Sequence, residues 1–304
     1  SEQTAVASSG QVMNGAYISF FGPEPLMLLG VVILTSLGTW GLPQMVGKFY
    51  AIRDEDAVRK GTIISTIFAV IVAGGCYFLG GFGRLFLTGD QITAAGTPAG
   101  GYDSVIPTML SSLPDILIAV VLILVLSASM STLSSLVLTS SSTMTLDFIA
   151  HVRKDEMDEK KKLVTLRALV AVFIVISAII AIVQYSSSVA FIAQLMGVSW
   201  GALAGAFLAP FLYSLYWKKT TKASCWVCFI FGSVLMILNM LVRSHFPAII
   251  QSPINCGAVA MLLGLVIVPV VSLLTPKPDQ KLVEDAFACY NKETTVPQST
   301  ALGK

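Results

Sequence analysis

The stretch LSASMSTLSSLVLTSSSTMTLD, Leu126 to Asp147, decides how this chain is read. It continues without interruption from the apolar run between Ile116 and Leu126, so hydrocarbon and hydroxyl side chains share one membrane-spanning helix. At about 3.6 residues per turn, Ser127, Ser131, Ser134, Ser135 and Ser142 fall on one face. A polar stripe on an apolar rod cannot face lipid tails. It must face protein, water or an ion.

The rest of the composition agrees with a membrane setting. Of 304 residues, 55% are hydrophobic and 12% charged, with a mean hydropathy of +0.81. A soluble domain carries about 25% charged residues. Apolar runs of roughly 20 residues recur, each long enough to cross a hydrocarbon core of about 30 Å. An all-α polytopic membrane protein follows, and the net charge of +2 gives no reason to expect a nucleic-acid partner. Seven spans are expected, at about 25–49, 61–86, 114–148, 163–185, 189–217, 225–242 and 256–274. They lie between a charge-poor first segment, 1–24, read as a loop, and a polar tail, 275–304, read as disordered or partly helical. The chain begins at Ser1 with no initiator Met and no signal peptide, and is expected to be a fragment.

Within the first span Pro43 lacks an N–H and its ring crowds the carbonyl of Thr39, so Gly38–Pro43 must break or kink the helix. Gly74, Gly75, Gly80, Gly81 and Gly83 on the second span suggest close helix contacts. IPTMLSSLP, residues 106–114, reads as a short helix at the membrane surface. The fifth span repeats small residues at spacing four, Gly197, Gly201, Gly205 and Ala209, which reads as a close-packing face. Basic residues fix orientation. All but Arg84 and Arg243 of the 19 fall in the loops after spans one, three and five or in the tail. The positive-inside rule then places the N-terminus outside and the C-terminus in the cytoplasm of a multi-pass cell-membrane protein.

The five cysteines are scattered and form no disulfide framework; Cys225 and Cys228 make a CxxC that reads as helix packing. Neither His151 nor His245 has a carboxylate or thiol arrangement suggesting catalysis, and no phosphate-binding GxxxxGK[ST] occurs. The chain is therefore not read as an enzyme, and no cofactor is implied.

Three stretches together resemble the sodium:solute symporter family, in its proline and pantothenate carrier branch. They are GTWGLPQMVGKFYAI (residues 38–52), the hydroxyl helix SASMSTLSSLVLTSSSTMTLDF (127–148), and APFLYSLYWKKTTKAS (209–224). The resemblance covers residues 20–275. It implies the leucine-transporter type of fold, two inverted repeats of five helices. Spans one to five would be the second repeat, spans six and seven peripheral helices, and the first repeat would be missing.

The resemblance also implies a function, sodium-driven symport of a small polar organic solute by alternating access, with sodium as the coupling ion. Ser131 and Thr132 match the family's hydroxyl ligands for a common sodium site, and Ala128 the position that offers a backbone carbonyl. Ser134 and Ser135 match a possible second sodium site. Oxygen ligands suit such a hard cation. The competing reading for each hydroxyl is a bond back to its own helix or small-face packing.

For the solute, Thr35, Ser36, Thr39 and Trp40 lie near the broken helix, where this family places substrate. Thr35 and Thr39 stand where proline carriers have aromatic residues, and Ser36 where sugar carriers have an amide. Phe68 and Ala69 occupy the region of the sugar carriers' lysine. A larger pocket and a polar, carboxylate-bearing solute are the expectation. Gln194 is a polar contact or an interhelical hydrogen bond, and Trp40 a gate or a core residue. Asn239 reads as helix–helix glue. Two other classes compete: a seven-helix receptor, which shares the topology but gives the serine stripe no purpose, and a channel or scaffold subunit.

Overall fold

The computed structural model describes residues 4–6, 12–14, 22, 24–49, 52, 54–87, 101–152, 158–187 and 192–291. In chain order the elements are β1 (Thr4–Val6), β2 (Val12–Asn14), α1 (Pro25–Gly38), α2 (Pro43–Phe49), α3 (Glu55–Gly83), α4 (Val105–Leu110), α5 (Asp115–Ser142) and α6 (Ala150–Val152). They continue with α7 (Glu159–Ser187), α8 (Ile192–Tyr216), α9 (Lys222–Leu241), α10 (Ala248–Gln251), α11 (Pro253–Leu274) and α12 (Gln280–Phe287). Among the described residues six helices are long and apolar enough to cross a membrane, and the shorter apolar run Pro25–Gly41 precedes them.

The expected loop at the start carries a strand pair instead. β1 and β2 are antiparallel, with Ala5 opposite Met13. Thr4, Val6 and Val12 are β-branched, which favours extended backbone over helix.

The break in the first apolar run is present and has a local cause. α1 starts with Pro25 in its first turn, where a missing N–H costs nothing. After α1 comes one 3₁₀ turn, Thr39–Gly41, and Leu42 is extended at φ −90° and ψ 114°. A residue before proline is pushed out of the α region by the proline ring. Pro43 then opens α2 and has no N–H to offer the carbonyl of Thr39.

The helices gather into two compact units. One holds the strand pair and α3 to α7; the other holds α1, α2 and α8 to α12.

In the first unit, Gly83 at the end of α3 sits against Val105 at the start of α4, so the stretch expected to be helical at 106–114 is helical over Val105–Leu110. The other α3 glycines differ from expectation. A Cβ on Gly74, Gly75, Gly80 or Gly81 would meet nothing within 4 Å. α5 packs against α7 and runs into a π-helical stretch, Thr143–Ile149. Just before it, Ser141 Oγ donates back to the Val137 carbonyl at 2.7 Å and Thr139 Oγ1 to the Ser135 carbonyl at 2.8 Å. Such back-bonds compete for the helical carbonyls and bend or loosen the turn.

In the second unit the small-residue face of α8 does what its spacing implies. Gly197 lies against Ile254, Gly201 against the Cα of Gly257, and Gly205 against Ala260 and Gly232. One core gathers Leu34 of α1, Ala204 and Leu208 of α8, and Ile254, Ala258 and Met261 of α11. A second gathers Ala209, Cys228 and Val268. The Cys228 thiol points at the Gly205 carbonyl, 3.5 Å away, which is the packing role expected of it. Asn239 Nδ2 donates to the Ile250 carbonyl at 2.7 Å and ties α9 to α10. At the opposite ends of α9 and α11 a buried hydroxyl chain joins the pair: Ser272 Oγ donates to Ser224 Oγ at 2.8 Å, and Ser224 Oγ to the Thr221 carbonyl at 2.7 Å. The expected tail forms α12, and beyond it Tyr290 Oη donates to the Leu215 carbonyl at 3.0 Å. Residues 292–304 lie outside the described residues.

Both α8 and α11 contain an interior proline, Pro210 and Pro269. Each removes the N–H that would serve the carbonyl four residues earlier. In hydrocarbon that carbonyl needs another donor. For Pro269 the carbonyl is that of Leu265, and Tyr213 Oη on α8 donates to it at 2.9 Å. Tyr213→Phe leaves this half-buried acceptor unmet and is expected to cost about 1–2 kcal/mol. Thermal unfolding of the purified variant checks this, and an unchanged midpoint counts against it.

Candidate functional site

α5 places its hydroxyls by helical period alone. Ser131 Oγ and Thr132 Oγ1 both donate to the Ala128 carbonyl, at 2.9 and 3.1 Å. Three oxygens therefore converge on one helical turn. Each hydroxyl spends its hydrogen on Ala128 and keeps its lone pairs. All three residues are exposed, so the lone pairs are accessible. One turn further on, Ser134 and Ser135 are also exposed, and neither hydroxyl is engaged among the described residues. The arrangement carries no charge and offers hard oxygens only, a donor set suited to a small hard cation.

On α1, Thr35 Oγ1 donates to the Val31 carbonyl at 2.8 Å, four residues back. Thr39 Oγ1 donates to the Ser36 carbonyl at 3.2 Å, inside the broken turn. Ser36 is exposed, and Trp40 is 57% exposed, which leaves it outside the core in this structure. The break thus presents two threonine hydroxyls, one serine hydroxyl and an indole within about two turns. Gln194 is half-buried near the start of α8, in the same unit, with no hydrogen bond to these four. The ion-binding candidates belong to the first unit and the solute candidates to the second.

The sequence reading passed over Thr145. Its side chain is 0% exposed, its Oγ1 has no partner, and it sits inside the π-helical stretch. Such single-turn π segments are frequent at functional positions. The signal available was the continued run of hydroxyls past Ser142, in Thr143-Met-Thr145, which apolar periodicity did not single out. Asn255 was passed over too; its Oδ1 is buried without a hydrogen-bond partner against Gly30 of α1.

Among the described residues, an interrupted apolar helix and an uncharged hydroxyl stripe on a second helix stand in a chain rich in apolar helices. Residues 3–232 match the sodium:solute symporter family, and the chain belongs to that family. It is 27% identical over 212 residues to the sodium/pantothenate symporter of Escherichia coli (strain K12), covering 70% of this chain and 42% of that protein. It is 25% identical over 252 residues to the sodium/pantothenate symporter of Haemophilus influenzae, covering 80% of this chain and 49% of the relative. A monocarboxylic acid transporter of Corynebacterium glutamicum is 28% identical over 200 residues, 64% of this chain and 34% of that protein. The chain thus spans less than half the length of these relatives. No solved structure matches it. The family and these relatives are transporters, not enzymes, and with six apolar helices among its described residues the chain is a multi-pass cell-membrane protein.

Proposed function

We propose that this chain forms part of a sodium-coupled symporter that imports a small, carboxylate-bearing organic solute by alternating access. The observation that carries the reading is the convergence of the Ala128 carbonyl, Ser131 Oγ and Thr132 Oγ1 on one exposed turn of α5, within the residues that match the family. Sodium binds these oxygens together with carbonyls from another helix. Ser134 and Ser135 offer a second sodium site. Thr35, Ser36, Thr39, Trp40 and Gln194 contact the solute beside the broken helix. Two named relatives carry pantothenate and a third monocarboxylic acids, solutes that share a carboxylate, which supports that class here.

The fold in this proposal is the leucine-transporter type. α1 with α2 forms the first of seven spans, the N-terminus lies outside, and the tail from 275 lies in the cytoplasm. Sodium favours the conformation that binds solute better, and that differential affinity is the coupling.

The test is uptake by the full-length protein in proteoliposomes, with labelled pantothenate and a short monocarboxylate. An inward sodium gradient is expected to drive accumulation, and a sodium ionophore to abolish it. Uptake that is unchanged when potassium replaces sodium overturns the proposal.

A further inference from the structure

A cavity of about 300 Å³ opens between α8 and α9, lined by Ala206, Phe207 and Pro210 on one side and Lys222, Trp226 and Phe229 on the other. Phe229 stands edge-on to both Phe207 and Trp226, with ring centroids 5.3 and 5.9 Å apart. These rings make apolar walls, and Trp226 is 57% exposed, so the cavity is a groove open to the protein surface. From Lys222 to Phe229 the groove descends seven residues of helix, about 10 Å at the usual rise. Its mouth is basic: Lys222 is the first residue of α9, and Lys218 and Lys219 sit in the short connector before it. Lys218 is engaged over the Phe287 ring, 5.5 Å from its centroid, whereas Lys222 makes no ion pair among the described residues. The first N–H groups of the 20-residue α9 add positive potential at the same end.

We propose that this groove binds an anionic phospholipid, its phosphate at Lys222 and the upper part of an acyl chain between Phe207, Trp226 and Phe229. Four features fit that occupant together. The walls are apolar and aromatic, with an exposed tryptophan about one turn inside the start of α9. The only charged lining residue is a cation, and it stands at the mouth rather than in the depth. The depth runs from a helix terminus inward, as a lipid does from headgroup to tail. Basic pockets between membrane helices at the headgroup level take acidic lipid head groups. Its lining shares no residue with the hydroxyl stripe or the broken helix, and the proposal does not depend on sodium coupling.

The test is native mass spectrometry of the full-length protein, equilibrated with phosphatidylglycerol and with phosphatidylcholine of the same acyl chains. The wild-type protein is expected to retain phosphatidylglycerol preferentially. Lys222→Gln is expected to lower that retention about fivefold while leaving phosphatidylcholine unchanged. Trp226→Ala is expected to lower both, and Lys160→Gln, in another basic segment, neither. Raising salt on the wild-type protein gives a reading that needs no variant: phosphatidylglycerol should be released and phosphatidylcholine not. The proposal is overturned if Lys222→Gln retains phosphatidylglycerol as the wild type does. It is equally overturned if Lys160→Gln loses as much, or if the wild-type protein retains no lipid because another segment of polypeptide fills the groove.

Discussion

Thr132→Ala in the full-length protein is expected to raise the sodium concentration that half-saturates uptake by at least about tenfold, with folding nearly untouched. The two halves of this expectation rest on different contacts. In the fold, Thr132 Oγ1 is an exposed hydroxyl whose bond to the Ala128 carbonyl is 3.1 Å long. Ser131 Oγ serves the same carbonyl at 2.9 Å, so removing one donor strands nothing. Exposed substitutions of this kind stay within about 0.5 kcal/mol. In the proposed ion-bound state the alanine would remove one oxygen from a small ligand set, and a loss of about 1.4 kcal/mol there is a factor of ten. Thr132→Ser keeps the oxygen and is expected to stay near the wild type. If both variants show the wild-type sodium dependence in initial-rate uptake, the hydroxyl serves only its own helix and the ion site lies elsewhere.

Gly232→Ala is expected to destabilise the second unit by about 1–3 kcal/mol, the range typical of overpacking. A Cβ there would stand 2.5 Å from the Gly205 carbonyl carbon and 2.6 Å from the Ala206 nitrogen. Both are backbone atoms of α8, so no side chain can swing away to make room. Replacing a helical glycine by alanine would by itself gain about 0.5–1 kcal/mol, and the clash must outweigh it. Gly74→Ala separates the two terms, because a Cβ there meets nothing within 4 Å and only the gain remains. Melting of the purified protein, followed by size-exclusion chromatography after heating, should place Gly232→Ala well below wild type and Gly74→Ala at or above it. Equal midpoints for wild type and Gly232→Ala would sink the close-approach argument.

Much of the fold was legible because its signals are local. Apolar runs gave the long helices to within a few residues, although α3 and α7 begin earlier than expected, at Glu55 and Glu159. Their charged first turns stay helical because a helix can continue past the hydrocarbon, which hydropathy does not report. Pro43 announced its break because ring sterics act on adjacent residues. Spacing four on α8 announced its partners because small residues at one helical period leave a continuous groove. The glycines of α3 show the converse. Composition offered a contact face, but a glycine marks only where close approach is allowed, and among the described residues nothing approaches Gly74, Gly75, Gly80 or Gly81.

The candidate site was legible as a pattern and not as a geometry. Helical period put Ser131 and Thr132 one turn from Ala128, and their hydrogen bonds follow from that spacing. The π-helical turn around Thr145 was not visible, since it depends on how α5 packs rather than on any residue that forbids an α-helical turn. The groove beside Lys222 was invisible for a similar reason. Phe207 and Phe229 belong to different helices, and no period in either names the other.

The bond from Tyr213 to the Leu265 carbonyl has a consequence for inheritance. The acceptor is available only because Pro269 withdrew the helical donor, and the donor is needed only for the same reason. With alanine at 269, α11 would satisfy Leu265 by itself and Tyr213 could vary without loss. With proline kept, a phenylalanine at 213 would be penalised in every generation. Two residues on separate helices are thus bound into one heritable character, and should be seen to change together or not at all.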